Sequence, residues 1–183
     1  MHRFPLQSRP EPFRLTAPTG KGLEAIVKAV LIVRERGVPV VLEIRGPSET
    51  DEEREHLRYL KQLASDAVRV QPPVPRTRLP ETFAETDVLV NNTAEGSLDK
   101  VVFEACASCL PVLASNPSFV VLLEEELRFD RNDVEGIARG LSWMAERTAE
   151  QRRELGRDLR RRVEADHSSR TWAQRILEVV ESS

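Results

Sequence analysis

From Glu95 to Glu104 the chain reads Glu-Gly-Ser-Leu-Asp-Lys-Val-Val-Phe-Glu. The stretch holds a carboxylate at each end and an acid–base pair, Asp99-Lys100, between them. Carboxylates accept hydroxyl protons, and a lysine meets phosphate oxygens with charge-assisted hydrogen bonds. A second polar stretch lies near the start, Arg14-Leu15-Thr16-Ala17-Pro18-Thr19-Gly20-Lys21-Gly22. It sets two cations beside glycines whose bare backbone lets a phosphate come close. The same spacing also fits a plain turn with a lysine on its rim. The chemistry both stretches could share is the holding of a nucleoside diphosphate.

Each stretch follows a run that predicts a strand and leads into one that predicts a helix. Val88-Leu89-Val90 precedes the glutamate segment, a helix carrying Glu104 follows, and Pro111-Val112-Leu113-Ala114 returns as another strand. Loops at the carboxyl ends of strands, feeding helix N-termini, are where α/β folds bind phosphates. Phe13 to Thr16 predicts the first strand. A helix then opens near Lys21-Gly22, with Leu23, Ile26, Val27 and Val30 at helical spacing, and Gly37 stops it. Val38 to Ile44 is continuous and β-branched, as for a strand buried on both faces. A charged helix is expected over 51–64, with Leu57, Leu60 and Leu63 inward. Further strands are expected at 67–70, 87–90 and 127–129. Helices are expected from Leu79, over 119–125, from an Asn132-Asp133 cap to Met144, and over 149–165 and 168–181. The last carries Trp172, Ile176, Leu177 and Val180 as its apolar stripe.

Strands alternating with helices of this length predict βαβ units and one doubly wound parallel sheet with helices on both faces. Residues 1–11, with Pro5 and Pro10, read as a linker or edge segment, and 12–183 as a single Rossmann-like domain. The 183 residues suffice for one core, and 40% hydrophobic with 31% charged residues is a soluble composition. A net charge of −3 gives no bulk attraction to nucleic acid. No run approaches the roughly 20 apolar residues of a membrane span. Met1 to Pro5 lacks the apolar core of a signal peptide, and two cysteines fit a reducing, cytoplasmic compartment. Arginine far outnumbers the four lysines, Lys21, Lys28, Lys61 and Lys100, which hints at a GC-rich bacterial genome.

Several features are read as structural. Cys106 and Cys109 have CxxC spacing but close a helix rather than open one, and no histidine lies near in sequence. They are expected to be buried and inert, and no metal site is expected. Asn91-Asn92-Thr93 is a glycosylation sequon without a signal peptide to support it. The arginine run from Arg152 to Arg162 alternates with acids and predicts a solvated helix face.

Three motifs, Lys21-Gly22-Leu23, Asp87-Val88-Leu89-Val90 and Glu104 to Val112, together resemble the donor-binding half of the family 4 glycosyltransferases. The resemblance spans about residues 12–182. It implies one half of a GT-B fold, the C-terminal domain that binds a nucleotide-sugar donor. It places Arg14, Lys21 and Gly22 at the donor diphosphate and Glu104 at the ribose. Glu95, Gly96, Ser97, Leu98, Asp99 and Lys100 become the loop facing the donor sugar and phosphate. Gln71, Pro72 and Pro73 become the base-binding loop. The family pattern sets its first glutamate eight positions before the second, which here is Gly96, with Glu95 one residue too far. Asn116-Pro117-Ser118 stands where the family often has a glycine-rich turn. The implied activity is sugar transfer with retention at the anomeric carbon, with no cofactor and no obligatory metal, to a glycan, lipid or small-molecule acceptor. It needs an N-terminal acceptor-binding domain, in cis or in trans, and the full enzyme could touch a membrane peripherally. A degenerate, non-catalytic GT-B-like partner domain or a subunit of a split transferase is the alternative.

Overall fold

The structure is a computed structural model that describes residues 12–20, 22–64, 66–97 and 99–166. Lys21, Leu98, the 1–11 segment and the helix expected over 168–181 lie outside the described residues.

Five strands, β1 (Phe13–Pro18), β2 (Val40–Arg45), β3 (Val68–Gln71), β4 (Val88–Asn91) and β5 (Val112–Ala114), form one parallel sheet in the order β3-β2-β1-β4-β5. Between them run α1 (Leu23–Glu35), α2 (Asp51–Leu63), α3 (Leu79–Ala84) and α4 (Lys100–Ala107), and α5 (Val134–Ala145) and α6 (Ala149–Asp166) follow. The doubly wound Rossmann-like architecture expected from the sequence is the one observed. The helices pack as α1 with α5 and α4 with α6, one pair to each face.

Local chemistry explains the elements. In α1 the buried residues Leu23, Ile26, Val27, Val30 and Val33 recur at helical spacing and form one stripe against the sheet. At α2, Thr50 and Glu53 make a reciprocal capping box, with Glu53 N–H donating to Thr50 Oγ1 at 3.1 Å and Thr50 N–H donating to Glu53 Oε2 at 3.2 Å. Such a cap contributes about 0.5–2 kcal/mol. Leu57 and Leu60 are buried, but Leu63, at the helix end, is exposed. β4 and β5 are buried at every position, as strands covered on both faces should be.

Three expectations are corrected. β1 runs on to Pro18, because Ala17 and Pro18 pair in register with Ile44 and Arg45. Arg14 is therefore not at the carboxyl end of its strand. It sits at the opposite end, roughly 13 Å back along β1 at the usual rise per residue. There its main-chain N–H donates to Asp87 Oδ2 at 2.8 Å. In place of a helix over 119–125 and a last strand, two 3-10 turns stand at Pro117–Phe119 and Glu125–Leu127, and Arg128 makes a single parallel bridge to Ala114. The Asp133 side chain makes no cap bond at α5, and Asn132 reaches away to Asn92.

Cys106 is fully buried, and desolvation pushes its thiol up to about 12. Cys109 makes the turn from α4 to β5 at a φ of 59°. The arginines of α6 are mostly paired along its solvated face, as Arg153 and Arg157 with Glu150, Arg160 with Glu164 and Arg161 with Asp158. Arg152 and Arg162 instead reach across to Asp87 and Glu124, tying α6 to the body of the domain.

Candidate functional site

In the order β3-β2-β1-β4-β5 the chain reverses direction of winding between β1 and β4, and the crevice outside the carboxyl ends of such a pair is where open α/β sheets take ligands. A cleft of about 320 Å³ lies there. The β1–α1 loop supplies Thr19 and Gly20, the β4–α4 segment supplies Asn92, Thr93, Ser97 and Asp99, and Lys100 and Val101 open α4.

The floor of this cleft is a polar network. Asn91, fully buried, donates from Nδ2 to Asp99 Oδ2 at 2.9 Å and accepts from Thr93 Oγ1 at 2.9 Å. Ser97 Oγ donates to Asp99 Oδ1 at 3.0 Å. Asn116 Nδ2 donates to Ala94 O at 3.0 Å, and Ser115 Oγ donates to Thr93 O at 2.8 Å. Asp99 thus spends both oxygens on holding the loop and makes no side-chain cap on α4. Asn92 does the same work one strand over. Its Nδ2 donates to Gly22 O at 2.9 Å and to Asn132 Oδ1 at 3.0 Å, clamping the start of α1 beside the loop after β4.

Asn91→Ala leaves Thr93 and Asp99 without their buried partner. It is expected to cost about 2 kcal/mol, since an unsatisfied buried polar group costs roughly 1–3 kcal/mol. A denaturant midpoint compared with wild type checks this.

A second cavity of about 190 Å³ adjoins the first, and the two share Pro18 and Val101. Its walls are largely apolar, with Pro47, Pro73, Val74, Leu79 and Phe83 among them. A rigid, mostly apolar slot of this kind suits a flat heterocycle. On its polar side Arg45 and Glu43 pair at 2.5 Å. Glu104, part-buried on α4, accepts from Arg76 Nε at 2.8 Å and also from Arg76 Nη2. Arg76 stands in the 3-10 turn Arg76–Arg78, two residues beyond Val74 of the slot.

The structure brings Ser97, Asp99, Lys100 and Pro73 into the lining of these two adjoining cavities, while Glu104 stands one turn beyond Val101 on α4 and Gly22 is tied to the loop after β4 by Asn92. Gln71 ends β3 in register with Arg45, and Pro72 is exposed outside the lining. Glu95 and Gly96 stand exposed in the turn before Ser97, and neither lines the cleft. Arg14 lines a different cavity, at the amino-terminal edge with Asp87 and Arg152. Lys21 and Leu98 lie outside the described residues. Among the described residues, no group of three metal-ligating side chains gathers, and no helix is long and apolar enough to cross a membrane.

Sequence reasoning missed Asn91, Asn92, Thr93, Asn116, Asn132 and Arg76. A signal existed for the first three, as an apolar strand that turns polar at three consecutive residues without glycine or proline must satisfy those groups somewhere. Arg76 is one arginine among many and carried none.

The family model described as "Glycosyl transferases group 1" matches residues 16–162. Among solved structures, the catalytic domain of cholesterol-alpha-glucosyltransferase from Helicobacter pylori superposes with a TM-score of 0.70 at 15% identity, covering 82% of this chain and 96% of that one. The C-terminal domain of a glycosyl transferase group 1 family protein from Francisella tularensis gives a TM-score of 0.74 at 12% identity, covering 86% and 87%. A glycosyltransferase from Rickettsia africae ESF-5 gives a TM-score of 0.80 at 12% identity, covering 95% of this chain but 48% of its own length. No curated protein sequence matches the chain. With the family model covering most of its length, the chain belongs to the glycosyl transferases group 1 family.

Proposed function

We propose that this domain is the donor-binding half of a retaining glycosyltransferase that uses a nucleotide-diphosphate sugar, of the family 4 kind. The observation that carries the reading is the pair of adjoining cavities at the switch point, which share Pro18 and Val101, with Glu104 one helical turn beyond Val101 on α4. The base enters the slot of Pro73, Val74 and Leu79. The ribose hydroxyls donate to Glu104. The diphosphate lies in the first cleft, facing Lys100, the backbone at Gly20, and the N-termini of α1 and α4, whose free N–H groups favour negative charge. Lys21, by its place in sequence, adds a second cation. Arg14 takes no part. With these cations and dipoles meeting the charge, binding is expected to persist in EDTA. The sugar projects toward an acceptor domain supplied in cis or in trans, in keeping with the 48% share of the Rickettsia protein that the chain spans. The setting is the cytoplasm, where Cys106 and Cys109 stay thiols.

Thermal melts with UDP, GDP and ADP test the reading. A ligand at about 100 times its dissociation constant adds roughly 2.7 kcal/mol. One of the three is expected to stabilise the chain, and Glu104→Ala or Lys100→Ala to reduce that shift sharply. Equal shifts in wild type and both variants would refute the assignment. The exposed positions of Glu95 and Gly96 favour a second reading, a partner domain that binds nucleotide and lacks the donor-sugar contact. It predicts equal affinity for a nucleoside diphosphate and its sugar conjugates.

A further inference from the structure

Glu104 already has a side-chain partner within the domain. Arg76 donates to it from Nε, at 2.8 Å, and from Nη2, and both bonds fall on Oε1. A carboxylate oxygen offers two lone pairs, so the guanidinium fills Oε1. This is not the parallel fork that gives one bond to each oxygen. A vicinal ribose diol pairs with a carboxylate by giving one hydroxyl to each oxygen. The diol and Arg76 therefore compete for Oε1.

Their settings decide which yields. The Arg76 side chain is 72% exposed and that of Glu104 27%. Arg76 hangs from a single 3-10 turn after a proline-rich loop, and its charge can return to water. Glu104 is fixed by α4. Exposed ion pairs are weak, and hydrogen bonds from a bound, partly desolvated diol to a carboxylate are stronger.

We propose that Arg76 is a displaceable plug on the ribose-reading carboxylate, and that it sets how strongly the domain distinguishes ribonucleotides from nucleotides lacking the diol. The inference rests on the reading of Glu104 given above. With no nucleotide, the pair neutralises a carboxylate that would otherwise face an anionic ligand. With a ribonucleotide, part of the binding free energy goes into breaking it. A nucleotide without the diol leaves the pair intact.

The test is equilibrium titration of the whole chain with UDP, GDP and ADP and their 2′,3′-dideoxy counterparts, comparing wild type, R76A, R76K, E104A and the R76A/E104A double variant. Removing a cation alters attraction to every diphosphate alike, so the readout is the ratio of ribo to dideoxy affinity. R76A is expected to raise that ratio by about two- to five-fold, the scale of an exposed ion pair. R76K, which keeps the charge and loses the two-nitrogen grip on Oε1, should fall between. In the E104A background, R76A should leave the ratio unchanged. A ratio that falls or stays constant in R76A would overturn the proposal, making Arg76 a support for Glu104 or a bystander. The Glu104 reading fails separately if the wild-type ratio is near one and E104A does not move it.

Discussion

Gly22→Ala is expected to destabilise the domain by about 3 kcal/mol and to abolish nucleotide-dependent stabilisation. Gly22 caps α1 with a φ of 76°, a left-handed conformation that costs an ordinary residue roughly 1–2 kcal/mol. A Cβ there would overlap Asn92 Nδ2 and stand 2.6 Å from Asn92 Cγ and 2.8 Å from its main-chain oxygen. Asn92 must then move and give up its bonds to Gly22 and Asn132, each worth about 1 kcal/mol. The same movement separates the two loops that flank the cleft, so the ligand effect follows from the packing one. At roughly 2–4 °C per kcal/mol for a domain of this size, the melting midpoint should fall by about 6–12 °C. Gly20→Ala is the control, since a Cβ there meets nothing within 4 Å and only its φ of 123° opposes the change. A Gly22→Ala protein that melts with wild type would show that Asn92 does not fix this junction.

Gly156→Ala should be comparably damaging for a reason remote from the site. Here α6 lies against the turn that carries Cys109, and a Cβ would overlap the Cys109 carbonyl oxygen and stand 2.6 Å from its carbon. Backbone on both sides leaves no flexible side chain to give way. Overpacking of this kind costs about 1–3 kcal/mol, occasionally more, against a gain of about 1 kcal/mol in helix propensity. A net loss of about 2 kcal/mol, the upper end of that difference, is expected, because α6 must shift and loosen Leu159 and Val163 from the core. Chemical denaturation of the variant checks it. Unchanged nucleotide affinity per folded molecule would separate this defect from the one at Gly22.

These two glycines show what the sequence made legible. Apolar runs such as Val88 to Val90 and the stripe of α1 announced strands and helices, because burial on two faces or one leaves a periodic mark. The glutamate segment could be placed on a loop and a helix for the same reason. Arg14 could not be placed. Pro18 reads as a turn residue, yet proline at the last position of a strand keeps its carbonyl and lacks only a donor, so β1 continues past it. With β1 ending at Pro18, Arg14 lies four residues before its carboxyl end and away from the loop that follows. The glycosylation-like Asn91-Asn92-Thr93 hid its role because side-chain networks join residues distant in sequence, here Asn92 with Gly22 and Asn132. The Arg76–Glu104 pair was invisible for the same reason, since it spans 28 positions.

The central claim is that a nucleotide occupies the switch-point cleft between β1 and β4. The most direct measurement is an amide spectrum of the labelled chain, recorded while a ribonucleoside diphosphate is added. The predicted result is perturbation of Gly20, Gly22, Thr93, Lys100, Val101 and Val74, with Glu104 shifting only when the ligand carries a ribose diol. Arg14, Asp87 and Arg152, at the other end of the sheet, should stay in place. Perturbation confined to that far end, or none at millimolar ligand with any of the three bases, would contradict the account.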